Sequence, residues 1–117
     1  MTEKDLLQRT KTFALRVIKL VNALPNNTAG RAIGNQLIRS GTSVAANYRA
    51  ACRGRSKAEF IAKLGTVEEE ADESALWMEL IMESGLMDES LVKSLWIESV
   101  ELTKIMAASK ISARGSK

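Results

Sequence analysis

The stretch SGTSVAANYRAACRGRSKAEF, residues 40–60, holds the reading on which the fold turns. Its first seven residues are almost all small, and Gly41 costs a helix about 1 kcal/mol relative to alanine. Small side chains let a neighbouring backbone come close, so the run predicts a helix packed tightly against a partner. Gly54 supplies a helix stop, and Ser56-Lys57-Ala58-Glu59 has the spacing of a capping box that opens the next helix. A hinge this short makes the two helices antiparallel neighbours.

Working outward, the second helix starts near Thr28 and ends at Arg53–Gly54, with Ile33, Leu37, Gly41, Val44, Tyr48 and Ala51 in its buried stripe. Gly30 and Gly34 have the spacing of a membrane dimer motif but lie in no apolar run of roughly 20 residues, and read as close packing only. The third helix runs from Lys57 to about Glu83, placing Phe60, Leu64, Val67, Ala71, Ala75, Met78 and Met82 inward, and Gly85 ends it. Before the hinge pair, Thr2 and Asp5 form a capping box, and Leu6, Thr10, Phe13, Val17, Leu20 and Leu24 recur at helical spacing until Pro25. After it, Asp88 is read as the cap of a fourth helix carrying Leu91, Leu95, Leu102 and Ile105 or Met106 to about Ala108. The sum is an all-α chain: an antiparallel up-down-up-down four-helix bundle over residues 1–109, followed by a basic, flexible tail at 110–117.

Composition removes other classes. The 117 residues suit one domain. No apolar run exceeds four residues, so no segment reaches the ~20 needed to span a bilayer. The opening MTEKDLLQRTK has no apolar signal core, and a lone cysteine, Cys52, fits a reducing cytoplasm. There is no histidine. Histidine-based triads and most zinc sites are therefore excluded, and Cys52 reads as a small packed residue without a base to activate it.

Charge is sorted along the chain. From Arg31 to Lys63 seven basic residues face one acid, Glu59, whereas Glu68 to Glu89 contains nine acids and no base. Such sorting predicts a basic end and an acidic end. Arg39, Arg49, Arg53, Arg55 and Lys57 are candidate phosphate contacts, with Arg16 and Lys19 as additions and backbone donors at the start of helix three beside them. The competing reading is a solvated face paired with acids of a neighbouring helix, and the sequence leaves both open. Tyr48 sits in the seam and reads as core rather than as a base-stacking platform. The acids between Glu68 and Glu83 lack the Glu-x-x-His partners of di-metal bundles, so no metal is expected and the acids read as a solvated or partner-facing surface. Leu76, Trp77, Leu80 and Ile81 cover more of their helix than one seam requires, which predicts an oligomer interface there.

The segment QLIRSGTSVAANYRAACRGRSKAEFIAKL, Gln36 to Leu64, resembles the bacterial four-helix-bundle family of ribosomal RNA intervening-sequence proteins. Gln36, Leu37, Arg39, Ser40, Ser43, Val44, Asn47, Arg55, Ser56, Glu59 and Phe60 carry the likeness, which extends over roughly residues 10 to 106. Where many members have Glu-Gly shortly after the motif asparagine, this chain has Ala50-Ala51-Cys52. The resemblance implies an antiparallel bundle and a ring-shaped homopentamer. Through a related branch, the accessory protein of diversity-generating retroelements, it also implies a reverse transcriptase and nucleic acid as partners. Taken together, the expectation is a non-catalytic, cytoplasmic, homo-oligomeric module that binds RNA or DNA through its basic residues, with no cofactor and no membrane contact. The alternative is a homo-oligomeric protein–protein scaffold without nucleic acid.

Overall fold

The computed structural model describes residues 1–115 as four helices, α1 (Glu3–Asn22), α2 (Thr28–Cys52), α3 (Lys57–Glu83) and α4 (Lys93–Gly115), with a 3₁₀ turn at Glu89–Leu91. Each helix packs on its chain neighbour, and α4 returns to α1, so the order is up-down-up-down. The bundle measures 50 × 19 × 19 Å. One end, the hinge end, gathers the start of α1, the end of α2, the start of α3 and the end of α4.

Local chemistry sets the helix ends. Thr2 and Asp5 form the expected capping box, with Thr2 Oγ1 accepting from Asp5 N–H at 3.1 Å and Asp5 Oδ2 accepting from Thr2 N–H at 3.0 Å. Those bonds hold the Asp5 carboxyl below its ordinary pKa. Asn27 caps α2 through Gly30 N–H at 2.8 Å. Ser56 caps α3 through Glu59 N–H at 3.1 Å, and Glu59 Oε2 reaches back to Arg55 N–H at 3.4 Å, tying the hinge. At the end of α3, Gly85 takes φ +73°, and the bonds Leu86 N–H to Ile81 O and Gly85 N–H to Met82 O complete a Schellman stop.

The core is the predicted seam: Phe13, Val17, Leu37, Val44, Leu64, Val67, Met78, Leu102 and Met106 are fully buried. Gly41 marks its tightest point. A Cβ there would lie 2.7 and 2.8 Å from the two methyls of Val17, so only glycine admits α1 at this distance. Gly34 similarly faces Leu24 and Val21. Between α2 and α3 the close approach is polar. Ser40 and Ser74 are both fully buried, their hydroxyls 2.8 Å apart; one donates to the other, and the accepting hydroxyl donates to a carbonyl of its own helix, so neither is left unsatisfied. The seam between α1 and α4 is thinner. It is clasped by Arg9, whose Nε and Nη2 bond Glu98 at 2.7 and 2.8 Å, and by Arg16 to Ser94 Oγ at 2.8 Å.

Three expectations need correction. Ile81 is fully buried in the bundle core and lines no outer surface, because Leu76 and Leu80, not Ile81, lie on the outward arc of α3. Asp88 caps the 3₁₀ turn rather than α4, and this offset leaves Leu91 67% exposed while Val92 is buried in its place. The helix expected to stop near Ala108 continues to Gly115. Lys110 anchors that extension: its Nζ stands 2.6 Å from Glu68 Oε1, an ion pair by distance although its angle falls short of a hydrogen bond, and its stem passes Gly65. The expected flexible tail is thus helical as far as residue 115, while residues 116–117 lie outside the described residues.

The Gly41–Val17 contact gives a direct stability prediction. Gly41→Leu overpacks the α1–α2 seam and should cost about 1–3 kcal/mol in urea unfolding, with part of the loss restored by adding Val17→Ala. An unchanged midpoint for the single variant would contradict this packing.

Candidate functional site

Antiparallel packing brings the first turns of α1 beside the last turns of α2. The groove between them, about 1010 Å³, is lined by Lys4, Asp5, Leu7, Gln8, Arg9, Lys11, Arg49, Cys52 and Arg53. Arg49 and Arg53 are four residues apart and share one face of α2, while Lys4 and Lys11 are seven apart on α1, so two rows of cations flank the groove. Arg55 follows on the exposed hinge. Lys57, one residue into α3, lines an adjoining cavity at the tip of the bundle with Glu3, Tyr48, Cys52 and Phe60.

Four cations of the described residues are held by acids. Arg9 is held by Glu98, Lys110 by Glu68, and Lys93 by Glu89 at 3.4 Å. Arg39 meets Glu73 at 2.5 Å and Glu70 at 3.7 Å. Among the described residues, no acid lies within ion-pair distance of Lys4, Lys11, Arg49, Arg53 or Arg55. Asp5, which also lines the groove, is engaged in its cap.

The candidates therefore divide. Arg49 and Arg53 come together in the groove, with Arg55 and Lys57 around the hinge. Arg39 does not join them. It lies fourteen residues before Arg53, roughly 21 Å along the helix, and its guanidinium is engaged by α3. Arg16 and Lys19 line a cleft at the opposite end with Met87, Leu91 and Leu95. The sequence reading singles out neither Lys4 nor Lys11 as a site residue. The signal for both was topological, since an antiparallel hairpin with its turn at Pro25 must set residues 4–11 against residues 49–53. The charge is also sorted differently from the expected end-to-end pattern. Residues 3–52 carry eight bases and two acids, net +6, and residues 57–115 carry six bases and twelve acids, net −6. The division runs along the bundle, helix pair against helix pair.

Several of the acids have local partners. Glu79 Oε2 accepts from Trp96 Nε1 at 2.9 Å, and Glu73 Oε1 from Trp77 Nε1 at 3.4 Å, while Glu68, Glu70 and Glu98 face cations. Trp77 is thereby half-buried against α3 and its seam with α2, whereas Leu76 and Leu80 are exposed. Among the described residues no helix is long and apolar enough to cross a membrane, and no group of three or more Asp, Glu, His or Cys residues is arranged to hold a metal.

The fold and the motif now meet the comparisons. Residues 2–108 match the family described as 23S rRNA-intervening sequence protein. The chain belongs to that family. A solved relative from Bacteroides thetaiotaomicron, described as a protein of unknown function from the S23 ribosomal protein family, is 30% identical, with 94% of this chain and 98% of that one covered at a TM-score of 0.86. No match is found among curated proteins. For this intervening-sequence protein, most of the motif that carried the resemblance has a structural role here: Ser40 bonds Ser74, Val44 fills the core, Asn47 Nδ2 bonds Ser43 O at 2.9 Å, and Ser56 caps α3.

Cys52 stands between the two cavities at this end. Burial pushes its thiol pKa up, and Tyr48, itself almost fully buried, is pushed up in the same way. Because the thiolate is the reactive form, alkylation of Cys52 by iodoacetamide at pH 8 should run several-fold slower than that of a free cysteine and rise only at higher pH. Reaction as fast as the free thiol would contradict the buried, inactivated thiol.

Proposed function

We propose that this intervening-sequence protein is a non-catalytic, homo-oligomeric module that binds RNA or DNA through the α1–α2 groove at its hinge end. The observation that carries the reading is that Lys4, Lys11, Arg49, Arg53 and Arg55, none with an acid of the described residues within ion-pair distance, gather in and beside one groove. Phosphate contacts need cations of this kind and are indifferent to sequence. The groove lining holds no aromatic side chain, which favours contact with the backbone over stacking on bases. Assembly into a ring would repeat the groove around one particle and raise avidity without new contacts.

The scaffold reading rests on a separate observation, the net −6 of residues 57–115. There the same arginines would dock on α3 of another copy, leaving none for phosphate.

The Arg49/Arg53/Arg55→Ala variant decides between them, followed for oligomer mass and for binding to RNA and DNA at two salt concentrations. The nucleic-acid reading predicts an intact oligomer and a log–log salt slope that falls by about 2–3, close to 0.9 per lost phosphate contact on duplex DNA. Arg39→Ala should change the slope little, since that arginine is engaged by Glu70 and Glu73. A triple variant that falls to monomers, or wild-type protein that ignores nucleic acid at low salt, would favour the scaffold.

A further inference from the structure

The tip of the bundle holds a second cavity, which phosphate contact leaves unused. It is a cup of about 670 Å³ to which all four helices contribute, with Glu3 and Leu6 from α1, Tyr48 and Cys52 from α2, Phe60 from α3 and Ser112 from α4. Its size is that of a pocket for a small organic group. Leu6 and Tyr48 are buried and Phe60 is partly buried, so apolar and aromatic surface forms its depth. Glu3 and Ser112, both exposed, stand at its rim.

The cup and the α1–α2 groove adjoin but differ in charge. The groove sets five cations against Asp5, whereas in the cup Glu3 and Lys57 cancel. A phosphate is therefore drawn to the groove and gains nothing by entering the cup. Cys52 is common to both linings, and consecutive residues serve the two cavities: Glu3 and Lys4, Tyr48 and Arg49. An uncharged group carried by a phosphate at Arg49 or Arg53 thus has the cup beside it.

The lining suits such a group. Tyr48 is 2% exposed, and the hydrogen-bonding neighbour of its hydroxyl is the Cys52 thiol, a weak partner. A buried tyrosine hydroxyl ordinarily finds a stronger one, and the polar edge of a nucleobase supplies it. Phe60 offers a ring face on which any base can stack, and the Glu3 carboxylate accepts from an amino or imino N–H. We infer that the cup receives one unpaired nucleobase of a strand whose phosphates lie in the α1–α2 groove.

This inference rests on the nucleic-acid half of the proposed function and adds a strand preference to it. In a duplex each base is stacked and paired, and filling the cup costs the energy of extruding it. A single strand presents its bases at less cost. Phosphate contacts in the groove do not make this distinction.

The test compares a short single strand with an abasic strand of the same length, which keeps every phosphate, on wild type and on Ser112→Phe. Ser112 is exposed, so its replacement removes no core residue. The added ring fills the cup from α4, away from the groove, and helicity and oligomer mass are checked first. On wild type, loss of the bases should weaken binding about fivefold or more, with the salt slope unchanged because the phosphates neutralised are the same. On Ser112→Phe the two strands should bind alike, again with the wild-type slope. Wild type that binds both strands equally would overturn the cup and leave the groove standing, as would a difference that persists undiminished in Ser112→Phe. Wild type that binds neither strand at low salt would overturn both.

Discussion

Val17 lies against Gly41 at a separation that any Cβ would forbid, and this approach fixes α1 beside α2. The consequence is electrostatic as well as steric, because these are the two basic helices, and residues 3–52 carry a net +6. Like charges on adjacent exposed surfaces repel weakly in water, by about 1 kcal/mol at 4 Å, and are screened beyond ~8 Å at physiological salt. Burial of Phe13, Val17, Leu37 and Val44 in the same seam contributes roughly 1.5–3 kcal/mol per side chain. Close packing therefore holds together two helices that charge alone would separate. A cationic groove is the result.

The same arrangement determines which cations find partners. The acids lie mainly on α3 and α4, and ion pairs form where a basic side chain can cross a seam: Arg39 to Glu70 and Glu73, Arg9 to Glu98, Lys110 to Glu68. Exposed pairs of this kind add little stability, and Gly41, the serine pair and the apolar seam account for the fold without them. Their effect is to neutralise the bundle's waist and its α4 side. Lys4, Lys11, Arg49 and Arg53 line the α1–α2 groove without an acid of the described residues within ion-pair distance.

Much of the architecture was legible in the sequence because it is local. The capping box at Thr2, the Ser56 cap, the stop at Pro25 and the Gly85 turn each act within a few residues and are kept, except that the return bond of Glu59 goes to Arg55 N–H, so the expected box at Ser56 is only half formed. The fourth helix was read less well. Asp88 has the chemistry of a cap, but its bond to Ser90 N–H closes a 3₁₀ turn first, and the extension to Gly115 sets Lys110 beside Glu68, far away in the chain. The site shows the same division. Arg49 and Arg53 stood out by their own spacing, whereas the engagement of Arg39 by α3 and the addition of Lys4 follow only from which helices lie side by side. Ile81 differs from its exposed neighbour Leu80 by a rotation of about 100°, set by the 3.6-residue turn, and only the packed bundle shows which of the two is inside.

The central claim is that the hinge-end cations of the α1–α2 groove, rather than basic residues in general, receive phosphate. The most direct measurement is an NMR titration of the isotope-labelled protein with a short RNA or DNA, reading arginine side-chain and backbone amide shifts residue by residue. Shifts should concentrate at residues 4–11 and 49–57, with the Arg9 and Arg39 guanidinium signals unmoved in their ion pairs. Shifts centred on Arg39, or spread evenly over all basic residues, would contradict it.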